Sequence, residues 1–132
     1  GTYTGYTPTV TQGGTVTSFT TNNSRWMQVG KTVFVHIYLI INNAGTAAGA
    51  NGITVSLPFN TAVAATGVVG TGLIFDASLG LVYNGNAVIQ SASTVGMYST
   101  NSFVNALLGA NDFAAALATS DFVILNLTYE AS

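Results

Sequence analysis

The chain has 132 residues, enough for one domain, and only six of them are charged. The 5% charged fraction lies far below the about 25% of an average soluble domain, while 48% of the residues are hydrophobic. Two basic residues exclude a nucleic-acid footprint, and the apolar content excludes a disordered chain. The sequence has no cysteine, and no apolar run reaches the about 18 residues of a membrane-spanning helix. We therefore expect one domain over residues 1–132, complete or the C-terminal part of a longer chain, without nucleic-acid partner or membrane insertion.

The first thirty residues predict short strands. Residues 6–12 alternate around Pro8, which has no N–H, so this strand should lie at an edge of the sheet or begin after Pro8. Residues 15–21 continue as a Thr-rich strand, residues 25–29 follow as another, and Gly30-Lys31 predicts a tight turn.

Residues 31–42 give the strongest strand pattern in the chain. One face is uniformly aliphatic, and the other carries aromatic and apolar residues where a solvated strand would be polar. We therefore expect both faces to be covered, the second by another subunit. This predicts a subunit interface that includes Phe34, His36, Tyr38 and Ile40.

The middle of the chain alternates strands with Gly- and Asn-rich connections. Residues 53–57 predict a strand that ends at Pro58, residues 62–69 a weak strand, and residues 67–72 a glycine-rich loop. Every second residue of 73–83 is apolar, which predicts strand structure with a break at 78–80. Asn84-Gly85 is typical of a type I′ hairpin turn. Residues 87–91 and 94–99 predict two further strands.

The C-terminal part holds the sole helix candidate. Asn111 or Asp112 could cap a short helix, so we expect at most one helix, near residues 111–118. Residues 122–130 predict the last strand. About eight to ten short strands with frequent Gly and Asn turns predict an all-β fold, an antiparallel β-sandwich of jelly-roll-like form.

Few residues could support catalysis. His36 is the only histidine and has no acid two residues away, so we expect a packed or interfacial residue rather than a base or metal ligand. Asp112 and Asp121 suit turns or caps, and Glu130 suits a solvated end, although Asp76 could still meet another acid in space. We expect no enzyme activity and no catalytic, cofactor or metal site.

Aromatic residues are the remaining candidates for binding. Core packing is expected for Trp26, Phe59, Phe75, Phe122 and Tyr129, whereas Phe34, Tyr38 and Tyr98 have apolar neighbours and should face outward. Side chains near the predicted hairpin could contact a receptor or a glycan; they are Tyr83, Asn84, Asn86 and Tyr98.

Several segments resemble a pattern found in tailed-bacteriophage virion surface proteins. The resemblance rests on four segments: the N-terminal residues 6–10 (YTPTV), residues 26–35 (WMQVGKTVFV), residues 53–59 (ITVSLPF) and the C-terminal residues 125–131 (LNLTYEA). Such proteins form tail-fibre or tail-spike tips and head appendages. The resemblance implies a β-sandwich, usually a homotrimer, displayed on the virion, and it implies no catalytic residue.

The expected function is thus that of a non-enzymatic bacteriophage surface protein, a tail-fibre tip or head appendage. It would bind a host-surface glycan or protein receptor, or decorate the virion beside other virion proteins. Two alternatives stay open: a jelly-roll capsid or decoration protein, and a stand-alone carbohydrate-binding or adhesin module.

Overall fold

The computed structural model describes residues 1–16, 18–21, 23–47, 52–99 and 116–132. They form eleven strands and no helix. The strands are β1 (Thr4–Gly5), β2 (Val10–Gln12), β3 (Gly14–Thr15), β4 (Ser18–Thr21), β5 (Arg25–Val29), β6 (Thr32–Asn43), β7 (Ile53–Ser56), β8 (Val68–Asp76), β9 (Leu81–Ser91), β10 (Thr94–Ser99) and β11 (Phe122–Glu130).

The strands belong to one antiparallel sheet in the order β1-β5-β6-β11-β8-β9-β10-β7-β2-β3, and β4 also pairs with β6. The sheet curls into a half-barrel around one apolar core. Ile53 and Val55 of β7 meet Val123 and Leu125 of β11 around a small internal cavity, which marks where the two halves approach.

The expected all-β, antiparallel fold is confirmed. Its sandwich-like character comes from one curled sheet, and the described residues do not form two separate sheets that close a sandwich. Eleven strands exceed the eight to ten expected because β1 and β3 have two residues each and give no periodicity. Of the predicted helix, residues 111–115 lie outside the described residues, and residues 116–118 are not helical.

Strand β6 is the longest element and positions the outer surface. Its alternate residues Val33, Val35, Ile37, Leu39 and Ile41 are buried in the core, as the alternation predicts. Two strands share one edge of β6, β5 along its first half and β4 along its second. Between them the buried Ser24 hydroxyl accepts from the Tyr38 N–H (3.1 Å) and donates to its carbonyl (3.3 Å). This side chain therefore continues the hydrogen-bond ladder across the gap.

Two predicted connections are wrong. Residues 68–72 belong to β8 rather than to a loop, and Asn84-Gly85 lies inside β9 rather than in a turn; the β8–β9 turn is at residues 77–80, where the pattern predicts a break. A Cβ on Gly85 would collide with the Tyr98 carbonyl oxygen, and one on Gly70 with that of Asn126. These glycines allow close approach between neighbouring strands, whereas the sequence pattern indicated chain reversal.

The weak strand predicted over residues 62–69 is also largely wrong. Residues 62–67 form turns and bends, and strand β8 begins at Val68. Strand β2 begins at Val10, after the buried Pro8, which is one of the two expected arrangements.

Of the aromatic residues expected in the core, three pack there. Trp26 and Phe59 contact edge to face, with ring centroids 4.6 Å apart, and Tyr129 is buried. Phe75 and Phe122 instead lie on the outer face of the sheet. Their neighbours Ile74 and Val123 occupy the core positions, so strand alternation directs the two rings outward.

Candidate functional site

The outer face of strands β5, β6, β11, β8 and β9 forms the candidate site. Side chains from these strands lie in register across the sheet and separate into two zones. At one end of the face the residues are aromatic and aliphatic, and toward the other end they are polar.

We call the apolar zone the aromatic patch. Phe75 and Phe122 stack with centroids 4.7 Å apart and planes at 24°, and Tyr38 lies 5.8 Å from Phe122. Most of these side chains are half-buried, and Val82 is 48% exposed. The patch consists of Tyr38, Ile40, Leu73, Phe75, Val82, Phe122 and Ile124.

We call the neighbouring zone the polar row. It crosses six strands, from β5 through β6, β11, β8 and β9 to β10, with one side chain from each. At about 4.8 Å per strand it is about 24 Å long. The row consists of Arg25, His36, Asn126, Thr71, Asn86 and Tyr98.

An open groove of about 370 Å³ follows the first part of the polar row. A second depression of about 350 Å³ continues it toward Asn84 and Asn86, and the two share Thr71 and Asn126. The first groove lies within the about 300–1,000 Å³ range of small-ligand sites.

Two contacts fix polar groups in the groove. Nδ1 of His36 lies 2.7 Å from Oδ1 of Asn126, which orients both side chains. The Arg25 guanidinium carbon lies 4.8 Å from the centre of the Tyr3 ring, within cation–π distance. The Nε atom of Arg25 is buried and has no hydrogen-bond partner. No Asp or Glu is among the described residues that line this groove.

The four predicted interface residues all lie on this face and divide between its zones. Tyr38 and Ile40 belong to the aromatic patch, and Phe34 and His36 line the groove. All four are half-buried. Whether they contact another subunit stays a prediction.

The predicted receptor-contact residues are not all brought together. Asn86 and Tyr98 are neighbours in the polar row, and Asn84 lies opposite Leu73 on the same face. Tyr83 is directed to the other face of β9, where it packs against the core. The alternation of β9 explains this separation, because the strand runs straight through the expected hairpin turn.

Asp76 and Asp121 lie away from the groove, whereas Glu130 is exposed on the outer face, two residues beyond the groove residue Thr128. Asp76 and Asp121 are 3% and 1% exposed, and each carboxylate accepts backbone N–H groups of the turn regions. Burial raises the pKa of Asp121 above the usual 3.8, the N–H groups of Ala77 and Ala118 oppose this shift, and the charge of Asp76 adds to it. Asp76 therefore does meet another acid, and both carboxylates fix turns. Asp112 lies outside the described residues.

Two further kinds of feature are absent from the described residues. These residues hold no group of three or more His, Asp or Glu side chains able to bind a metal ion. Within the same ranges, no helix has the length and hydropathy needed to cross a membrane.

The fold and its outer face thus define an all-β antiparallel domain with an apolar patch beside a polar groove. In comparisons with known proteins, no protein family, curated protein or solved structure matches the chain.

Sequence reasoning missed Arg25, Tyr3 and Asn126 as groove residues. Arg25 and Tyr3 meet through β1, a strand of two residues, and Asn126 meets His36 across 90 positions of sequence. One signal was present, because His36 is a polar residue between Phe34 and Tyr38 on the outward face of β6, and the outward residues of β11 are polar from Asn126 onward.

Proposed function

We propose that the chain is a non-enzymatic surface domain that assembles with copies of itself through the aromatic patch. The stacked Phe75 and Phe122 rings support this most directly. They lie on the outer face of the sheet, where a strand that faces water usually carries polar residues. A second copy would remove this apolar surface from water at little cost, because no charged residue belongs to the patch.

The proposal places the assembled domain on a bacteriophage virion, as a tail-fibre tip or head appendage with a homotrimer as the expected unit. The resemblance of residues 26–35 and 53–59 supports this location. The neighbouring genes test it: virion structural genes beside this one would support it, whereas a setting of metabolic genes would count against it.

The assembly part is tested by a new charge in the patch. Tyr38→Asp should reduce the molar mass measured by light scattering at micromolar concentration, because a buried unpaired carboxylate opposes association. Thr128→Asp is the matched control, since Thr128 is exposed on the same face but outside the patch. Equal masses for both variants and the unmodified chain would remove the patch from the interface.

A second candidate is a stand-alone carbohydrate-binding module. The polar row favours it, because its hydroxyl, amide and aromatic groups suit the hydroxyl groups and faces of sugar rings. This candidate predicts a stable monomer that binds glycans, whereas the first predicts an oligomer.

A further inference from the structure

We infer that the groove around Arg25 and His36 binds a saccharide that carries a carboxylate group, such as a uronic or sialic acid unit. This goes beyond the proposed self-assembly and gives the receptor binding expected from the sequence a ligand class. The groove lies outside the aromatic patch, so a ligand and a second copy of the chain would use different zones of the face.

Charge is the first argument. Arg25 provides a guanidinium at one end of the groove, held against Tyr3, with its Nε buried and unpartnered. No acid among the described lining residues neutralises it. A carboxylate would pair with a guanidinium in the planar two-bond geometry that arginine favours.

The amount of charge limits the ligand. Arg25 is the only Arg or Lys among the described lining residues, so the groove suits a ligand with few negatively charged groups. A polyphosphate backbone would need several such contacts. One carboxylate on an otherwise neutral chain of sugars fits this balance.

The remaining groups suit the neutral part of a sugar chain. The His36–Asn126 pair, Thr71 and Thr128 present donors and acceptors for hydroxyl groups, and the rings of Tyr3 and Phe34 provide apolar walls. All of these groups line the groove of about 370 Å³, so the ligand does not need the adjoining depression, which Leu73 and Ile124 of the aromatic patch also line.

A bound peptide would use different features. Extended peptides gain much of their affinity by adding a strand to an unpaired sheet edge. This groove lies on the face of β6, β11 and β8, where β11 is paired on both sides. The geometry therefore favours a saccharide over a peptide.

Calorimetric titration with hyaluronan hexasaccharide and with α2,8-linked trisialic acid tests the inference. At least one should bind, and its carboxyl-reduced form should bind at least tenfold more weakly, because it lacks the charge-assisted hydrogen bonds. Absence of binding by both, or equal binding of the reduced form, would overturn the inference. Tighter binding of an acidic peptide such as hexaglutamate would also overturn it.

Two charge-removing variants locate the site. Arg25→Gln should weaken binding at least tenfold, whereas Lys31→Gln, which removes a cation from the exposed β5–β6 turn, should change it less than twofold. Equal effects would show that net charge, not the groove, governs binding. Arg25→Gln should leave the oligomer mass unchanged, because Arg25 lies outside the aromatic patch. Failure of this inference is therefore distinguishable from failure of the assembly proposal.

Discussion

Tyr6 and Tyr129 differ in how their buried hydroxyl groups are satisfied. The Tyr6 hydroxyl is buried without a hydrogen-bond partner, and burial raises the pKa of Tyr6 above its usual 10. The Tyr129 hydroxyl donates to the Phe59 carbonyl at 3.0 Å and accepts from the Phe59 N–H at 3.3 Å. Replacing each tyrosine by phenylalanine removes only this group, so the two variants isolate its contribution.

The two substitutions should change the free energy of unfolding in opposite directions. A buried, unsatisfied polar group costs about 1–3 kcal/mol, so Tyr6→Phe should raise stability by about 1–2 kcal/mol. Tyr129→Phe loses an O–H donor and leaves the Phe59 N–H without an acceptor, so it should lower stability by about 1–3 kcal/mol. For a chain of this size the melting temperature should shift by about 4 °C per kcal/mol.

Urea unfolding at fixed protein concentration provides the assay. Trp26, the only tryptophan, packs against Phe59 and reports on this part of the core through its fluorescence. Equal m-values would show that the comparison reflects stability alone. The argument is refuted if Tyr6→Phe destabilises the protein or if Tyr129→Phe leaves its stability unchanged.

Three further predictions concern packing, buried charge and assembly. Gly85→Ala should lower the free energy of unfolding by about 3 kcal/mol, because the new Cβ would collide with the Tyr98 carbonyl oxygen. Gly80 has a positive φ and open space around it, so Gly80→Asn should lower the free energy of unfolding by less than about 1 kcal/mol in the same urea titration. Asp121→Ala should cost about 2–4 kcal/mol by leaving two N–H groups unpaired. Folding raises the pKa of Asp121, so the stability linked to its protonation is fully present below pH 3.8 and is lost as the pH rises through the raised pKa. Asp121→Ala should therefore remove this part of the pH dependence of the free energy of unfolding. Between about 0.05 and about 0.5 M NaCl the oligomer mass should not change, and salt-induced dissociation would contradict an uncharged interface.

The sequence predicts the long strands because their alternation is strict. The core-facing residues are aliphatic in β6, and in β11 they are aliphatic except for Tyr129, so the core face and the outer face follow directly from the order of residues. The outward position of Phe122 also follows from this alternation, since Val123 and Leu125 face the core, yet its aromatic character favoured burial as the expectation.

The glycine-rich segments defeat prediction because glycine serves two purposes. Gly70 and Gly85 resemble turn residues in the sequence, but in the fold they allow backbone contact between neighbouring strands. Only the pairing of β8 with β11 and of β9 with β10 reveals this use, and that pairing is a property of the whole sheet.

The candidate site was predictable in part for a similar reason. The two-sided apolar pattern of β6 placed Tyr38 and Ile40 on an outer surface, where the structure has them. The groove depends on register, because His36 faces Arg25 on one neighbouring strand and Asn126 on the other. Local patterns do not determine which residues of distant strands lie opposite each other.

The molar mass of the unmodified chain at micromolar concentration, measured by light scattering, tests the self-assembly proposal most directly. The aromatic patch predicts a discrete oligomer, three times the 13.5 kDa of the chain for the expected trimer, that persists on dilution. A stable species of 13.5 kDa at the same concentrations would contradict it.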